Sequence, residues 1–73
     1  MDLVATPLAA KGLFRLAPRT VLGALWLQTH FSSEEWDTLL SAQASFHIDC
    51  LRDIIQDART AGLSVQHLVV VES

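Results

Sequence analysis

The chain has 73 residues, a formal net charge of −3 and one cysteine. A chain of this length forms one domain, with a core that supplies only a few kcal/mol of stability. The acidic charge argues against a nucleic-acid partner, because such binding relies on neutralising phosphates. The single cysteine excludes an intrachain disulfide, and no apolar run reaches the ~20 residues that cross a bilayer. We therefore expect one cytoplasmic domain over residues 1–73, with no membrane partner.

The N-terminal part of the chain contains few strong structural signals. Thr6 and Pro7 mark a turn, and we expect residues 1–11 to form a loose extended arm. Apolar and polar side chains alternate over residues 13–16, which predicts a brief strand or extended segment. Pro18 ends this segment and suits the first position of a helix, where its missing N–H has no consequence.

A first helix is predicted over residues 20–30. Apolar side chains cover nearly its whole circumference, a pattern that is typical of a buried helix. Gly23 lowers its helix propensity by about 1 kcal/mol relative to alanine, but it lets another backbone come close. We therefore expect this helix to be buried at a crowded interface.

A second, longer helix is predicted between residues 31 and 62, a stretch without internal proline or glycine. Ser32 and Glu35 have the spacing of a capping box, and Gly62 suits the left-handed position that ends a helix. An unbroken helix here would have about 28 residues and a length of roughly 42 Å. The alternative is a break near residues 43–45, where serine and glutamine thin the apolar stripe, followed by a helical hairpin.

The apolar stripe of this long helix leads to a predicted oligomeric state. A compact domain of this size is only about 25–30 Å across, so the rest of the chain cannot cover a stripe of roughly 42 Å. We therefore predict a homodimer in which two long helices cover each other. In the alternative hairpin, a monomer would bury its own stripe.

The C-terminal residues complete the predicted fold. The β-branched run over residues 63–71 predicts a strand, paired either with residues 13–16 or with a second copy. The predicted fold class is thus mostly α. It consists of an N-terminal extended arm, a short buried helix, one long amphipathic helix that is either continuous or broken near 43–45, and a C-terminal strand.

No catalytic or cofactor motif stands out in the sequence. His47 and Cys50 have the spacing of a ligand pair, but a specific zinc site requires a second pair of ligands. Cys50 lies in the apolar stripe, which predicts a buried thiol and not a nucleophile. Ser45, His47 and Asp49 cannot converge from alternate positions on a helix. We therefore predict no catalytic, cofactor-binding or metal-binding residues, and no enzyme activity.

The candidate functional residues are those of the apolar stripe and two aromatic or imidazole side chains beside it, which are expected to be exposed anchors. The predicted partner-binding residues are Trp36, Leu40, Phe46, His47, Ile48, Leu51 and Ile55. Apolar residues make up 51% of the chain. This fraction is high for a small monomer, in which most residues are at the surface.

These features favour a small regulatory or adaptor protein, a homodimer that binds another protein and inhibits or otherwise modulates it. One alternative is a DNA-binding repressor that uses the basic residues Lys11, Arg15 and Arg19 near the N-terminus. Another is an accessory subunit or ligand carrier with a pocket at the dimer interface.

Overall fold

The structure, a computed structural model, describes residues 1–68 and begins with a β-hairpin. Strands β1 (Leu3–Pro7) and β2 (Leu13–Pro18) pair in antiparallel fashion. Gly12 in the turn between them has a φ of +80°, which glycine adopts without a Cβ clash. The extended segment predicted over residues 13–16 is confirmed as part of β2. The N-terminal arm that was expected to be loose instead supplies β1, which lies between two other strands.

Helix α1 (Val21–His30) follows the hairpin and confirms the helix predicted over residues 20–30. Thr20 is its N-cap, because the hydroxyl oxygen accepts a hydrogen bond of 3.0 Å from the N–H of Gly23. Gly23 does allow a close backbone approach, but to the same chain: an added Cβ would clash with the carbonyl oxygen of Asp2.

The prediction that α1 is buried is wrong. Its only buried residues are Gly23 and Leu27. Three large apolar side chains, with exposed fractions of 77%, 55% and 53%, point away from the core: Val21, Leu22 and Leu25. Apolar residues occupy every side of α1, and a single helix packed on a sheet can bury only one of them.

The long helix is replaced by four separate elements. These are a 3-10 turn, helix α2, strand β3 and helix α3, with the bounds Ser33–Glu35, Trp36–Leu40, Ala44–His47 and Ile48–Thr60. Ala42 takes a φ of +62° and reverses the chain before β3. The interruption therefore includes the predicted break near residues 43–45, but a strand occupies it and no helical hairpin forms.

The predicted helix ends have different outcomes. Ser32 makes no side-chain capping bond, so the capping box is wrong. Gly62 has a φ of +93°, and its N–H donates to the carbonyl of Arg59 over 3.0 Å. The N–H of Leu63 donates to the carbonyl of Ala58, also over 3.0 Å. These two bonds form a Schellman motif, which confirms the predicted C-terminal stop.

Strand β4 (Val65–His67) pairs in parallel with β1. It confirms part of the strand predicted over residues 63–71, of which residues 69–71 lie outside the described residues. Its partner is β1, and neither residues 13–16 nor a second copy is needed for this pairing. The resulting sheet is mixed and has the order β3-β2-β1-β4. The mostly α fold class is therefore wrong, as is the description of the chain as helical: this is an α/β fold.

The helices pack against one face of the sheet, and the alternation of side chains along the strands produces the two faces. The largest fully buried side chains come from both layers: Leu3, Leu16, Leu27, Leu39 and Leu51. The opposite face exposes mostly polar residues from all four strands: Thr6, Arg15, Ser45 and Gln66. Within residues 1–68, every helix falls short of the length and hydropathy that a membrane span requires.

Candidate functional site

Strand β3 lies at one end of the sheet. Among residues 1–68 it pairs only with β2, so its other edge has no strand beside it. In an antiparallel pair, alternate residues direct their N–H and C=O groups away from the partner strand. An open edge of this kind is able to pair with another extended chain.

A groove runs between this edge and the segment that contains the 3-10 turn and α2. We call it the β3 groove, and it has a volume of about 350 Å³. Its lining combines apolar, acidic and small polar residues: Phe31, Glu34, Glu35, Thr38, Leu39, Gln43, Ala44, Ser45 and Phe46. The volume lies near the lower end of the roughly 300–1,000 Å³ of ligand pockets.

The floor of the β3 groove is apolar. The rings of Phe31 and Phe46 are tilted by 36°, with their centroids 5.8 Å apart. Leu39 is buried below them in the core cluster, and both rings pack partly against that cluster. The two rings are half-buried, so one side of each is supported by the core while the other lines the groove.

Local hydrogen bonds hold the two walls of the groove in place. The indole N–H of Trp36 donates to the carbonyl of Phe31 over 3.0 Å, which ties α2 to the end of α1. The N–H of Gln43 donates to the carbonyl of Thr38 over 2.9 Å, closing the turn that leads into β3. Both bonds join residues close in sequence, so this part of the chain determines the groove's shape locally.

The rim of the β3 groove is negative. Glu34 and Glu35 are both exposed, and neither forms a salt bridge within the described part of the chain. Two adjacent unpaired carboxylates beside an apolar floor favour a ligand that has both a cation and an apolar group.

One family match identifies the relatives of this chain. The family is described as the cyanobacterial NIF11-like domain, and it matches residues 4–70. The chain belongs to this family. The match includes nearly all of β1 and every later element, so the β3 groove lies wholly inside the NIF11-like domain. No curated protein and no solved structure matches the chain.

The predicted partner-binding residues are distributed over three environments in the NIF11-like domain. Leu51 and Ile55 are 0% and 5% exposed, so they belong to the core and present no surface to a partner. Trp36 and Ile48 are half-buried, and Ile48 packs against the core cluster, while Leu40 is 39% exposed on α2.

The remaining two predicted residues lie on β3. Phe46 lines the β3 groove, while His47 is exposed at the end of the strand. The Nδ1 atom of His47 accepts a hydrogen bond of 3.3 Å from the N–H of Asp49 and caps α3. The structure therefore brings only Phe46 of the predicted set into the groove.

Sequence reasoning missed Phe31, Leu39 and the two glutamates as groove residues. Glu35 was interpreted as part of a capping box at the start of a long helix, and Glu34 falls inside the same predicted helix. The available signal was the alternation of Ala44, Ser45, Phe46 and His47, which has the period of a strand.

Three other predictions can be located in the NIF11-like domain. Cys50 is exposed, so the expectation of a buried thiol is wrong. Among residues 1–68, no three His, Cys, Asp or Glu side chains are grouped as a metal ion would require. The basic residues Lys11, Arg15 and Arg19 lie in the hairpin turn, on the uncovered sheet face and before α1, so they do not form an arm.

Proposed function

We propose that this NIF11-like domain is a small, non-enzymatic interaction module that binds a basic and partly apolar peptide segment of another protein. The β3 groove is the proposed binding site. The observation that carries the proposal is an open strand edge next to an apolar floor and two unpaired carboxylates. Binding there would regulate the partner protein or link it to a further protein.

The chemistry of the groove defines the peptide. An extended peptide would add to the edge of β3 through main-chain hydrogen bonds, as in other cases of strand addition. Its alternate side chains would point into the groove, where an apolar one would contact Phe31 and Phe46. A neighbouring lysine or arginine would reach Glu34 or Glu35, and such charge-assisted hydrogen bonds are roughly twice as strong as neutral ones.

The expected affinity is modest. Strand β3 has four residues, so few main-chain hydrogen bonds can form, each contributing about 0.5–1.5 kcal/mol net. One buried aliphatic or aromatic side chain adds about 1.5–3 kcal/mol. Association itself costs at least about 4 kcal/mol. We therefore expect dissociation constants on the order of 0.1 mM or weaker, as suits a reversible regulator or adaptor.

The proposal places this interaction in the cytoplasm, in keeping with a chain that has a single cysteine. The predicted homodimer stays a prediction, and it no longer has the support of a long helix. Light scattering tests it directly: a mass of 8.0 kDa that does not change with concentration would contradict a dimer.

An NMR titration tests the proposed groove. The probe is a capped Lys-Val-Lys-Phe-Lys peptide, and the control is the same peptide with glutamate in place of lysine. We expect the basic peptide to shift the amide signals of Ala44–His47 and of Glu34 and Glu35, and the acidic peptide to have no effect. Shifts confined to other regions, or none at millimolar peptide, would contradict the proposal.

Charge reversal at the rim sharpens this test. We expect Glu34→Lys with Glu35→Lys to weaken binding of the basic peptide by at least about tenfold, because two attractive charges become repulsive. The matched control is Asp53→Lys with Asp57→Lys, which makes the same change in net charge on the exposed side of α3. If both pairs weaken binding equally, the peptide responds to overall charge and not to the groove.

A further inference from the structure

A second concave surface lies on the other side of the molecule, between α3 and β4. We call it the α3–β4 depression, and it has a volume of about 580 Å³. Apart from one isoleucine, every side chain that lines it can donate a hydrogen bond: Arg52, Ile55, Gln56, Arg59, Thr60 and His67. It shares no residue with the β3 groove, so a ligand bound in the depression would be independent of the proposed peptide binding.

The helical spacing explains why these donors lie together. Arg52, Gln56 and Arg59 are separated by four and three residues, which places them on one side of α3. Their side of the helix faces the end of β4, where His67 is located. Because the two arginines are two turns apart, a ligand between them could accept hydrogen bonds from both.

The two guanidinium groups have no anionic partner in the described part of the chain. The salt bridges there join His30 to Asp57 and His47 to Asp49. Arg59 uses Nη2 to donate to the carbonyl of Val65 over 3.3 Å, which orients its guanidinium and leaves further N–H groups for a ligand. Two unneutralised arginines on one helix face are notable in a chain of net charge −3.

The imidazole of His67 also lacks a partner. Its Nε2 atom is buried and has no hydrogen-bond partner among residues 1–68. The ring of Phe14 meets the imidazole edge to face, with centroids 4.9 Å apart, and holds its orientation. Buried polar atoms in proteins are nearly always satisfied, so an unpaired imidazole nitrogen beside two arginines points to a polar group that residues 1–68 do not supply.

We propose that the α3–β4 depression binds a phosphate group, held between the guanidinium groups of Arg52 and Arg59. The imidazole of His67 lies beside them, and the side chains of Gln56 and Thr60 complete the set of donors. A phosphate suits this arrangement better than a carboxylate, because its oxygens accept hydrogen bonds from several directions. Arginine provides planar, bidentate recognition of the same group.

The protonation of His67 provides an independent readout. Burial lowers the pKa of His67, with further contributions from the positive charges of Arg59 and Arg52. The neighbouring strand β1 places the uncharged Ala5 opposite it, and the uncharged ring of Phe14 from β2 contacts it. A bound phosphate would offset the two positive charges, so we expect it to raise the pKa of His67. A structural role for His67 alone would not produce this phosphate-dependent change.

Titration of the whole chain with inorganic phosphate, followed by NMR, tests the proposal. We expect saturable shifts of the Arg52 and Arg59 side-chain signals and an upward shift in the pKa of His67. Acetate at the same ionic strength should bind at least about tenfold more weakly, since it has fewer acceptors. Equal binding of acetate, or linear shifts that reflect ionic strength only, would overturn the proposal.

Matched variants separate the site from general electrostatics. Arg52→Gln with Arg59→Gln should weaken phosphate binding by about tenfold or more, because each lost charge-assisted hydrogen bond is strong. The control, Arg15→Gln with Arg19→Gln, removes the same charge outside the depression. It should change the phosphate affinity by no more than about twofold. Arg52→Gln alone, at an exposed residue, tests the site without touching the bond from Arg59 to Val65. Unchanged binding in this variant would contradict the proposed contact.

One further variant distinguishes a free ligand from the chain itself. Glu72 comes after β4 in sequence and is the nearest acidic residue beyond it. If phosphate binds to the Glu72→Gln variant but not to the original chain, an internal carboxylate competes for the site and the proposal of a free phosphate ligand is wrong. Equal phosphate binding by the Glu72→Gln variant and the original chain supports the proposal of a free phosphate ligand.

Discussion

Helices α1 and α3 show opposite relations between composition and burial. In α1, apolar residues surround the helix axis, yet only Gly23 and Leu27 are buried. In α3, charged and apolar residues alternate with helical periodicity, and one complete side is buried, formed by Leu51, Ile54, Ile55 and Ala58. The sheet offers each helix one contact side, so periodicity decides how well a helix is buried and apolar content does not.

The comparison also shows how the two helices are attached. The Asp2 carboxylate accepts a hydrogen bond from the Thr20 hydroxyl at the start of α1, over 2.7 Å. Its other oxygen accepts from the N–H of Ser64, just after α3, over 2.9 Å. One N-terminal side chain therefore connects the entry of one helix to the exit of the other. Four predictions test the comparison.

The largest effect is expected for a charge placed on the buried side of α3. We predict that Leu51→Asp abolishes folding, because Leu51 is fully buried and an unpaired carboxylate there has no hydrogen-bond partner. Far-UV circular dichroism measures the loss of structure. The matched change on α1, Leu22→Asp, should leave the spectrum intact and alter stability by no more than about 0.5 kcal/mol. Comparable loss in both variants would show that the exposed side of α1 is covered.

Truncating the one large buried side chain of α1 should have the next largest effect. We predict that Leu27→Ala destabilises the chain by about 2–5 kcal/mol, since it leaves a cavity at a fully buried site. Urea unfolding measures the difference, and Leu25→Ala on the exposed side is the control. If the two variants are equally stable, α1 does not contribute to the core.

A smaller effect is expected at the end of α3. We predict that Gly62→Val destabilises by more than about 1 kcal/mol, because a β-branched residue resists the left-handed conformation. No atom lies within 4 Å of an added Cβ, so backbone strain and not a steric clash would cause the loss. Thermal unfolding tests this, with Ala61→Val, one residue earlier in right-handed geometry, as the control. Equal melting temperatures would mean that the Schellman motif adds little.

The smallest effect concerns the connection through Asp2 and depends on pH. The backbone hydrogen bond from Ser64 and the side-chain bond from Thr20 lower the pKa of Asp2 below its ordinary value of 3.8. The carboxylate therefore stabilises the fold above pH 3.8, and this contribution disappears as the pH falls through the lower folded-state pKa.

We accordingly expect Asp2→Asn to lower the melting temperature at neutral pH. In acid, the melting temperatures of the variant and the original chain should become similar. Melting curves between about pH 2.5 and 7 measure the difference. Asp53→Asn, at an exposed position on α3, serves as the control and should show no such trend. A constant difference across the range would mean that the charge of Asp2 has no part in the connection.

The candidate site was only partly predictable. Phe46 was singled out because it falls off the main apolar stripe, and it does line the β3 groove. Glu34 and Glu35 were missed because two acidic residues near a serine also resemble the start of a helix. Their role depends on β3, which brings Phe46 beside them, and no local pattern around residues 34–35 indicates that strand.

The sequence by itself determined the features that depend on neighbouring residues. Thr20 lies at the start of α1 and Gly62 comes after the end of α3, because caps form through bonds within one turn. Strand β2 is also evident from its own alternation and from Pro18 at its end.

The tertiary structure decided which segments are strands and which side of α1 is exposed. Residues 44–47 leave the helical pattern because β2 offers them an edge, with Leu13 opposite His47 and Leu16 opposite Ala44. Residues 3–5 form a central strand because β2 and β4 pair with them on both sides. Strand pairing satisfies backbone groups through residues distant in sequence, so a short segment with mixed signals takes the structure for which a partner is present.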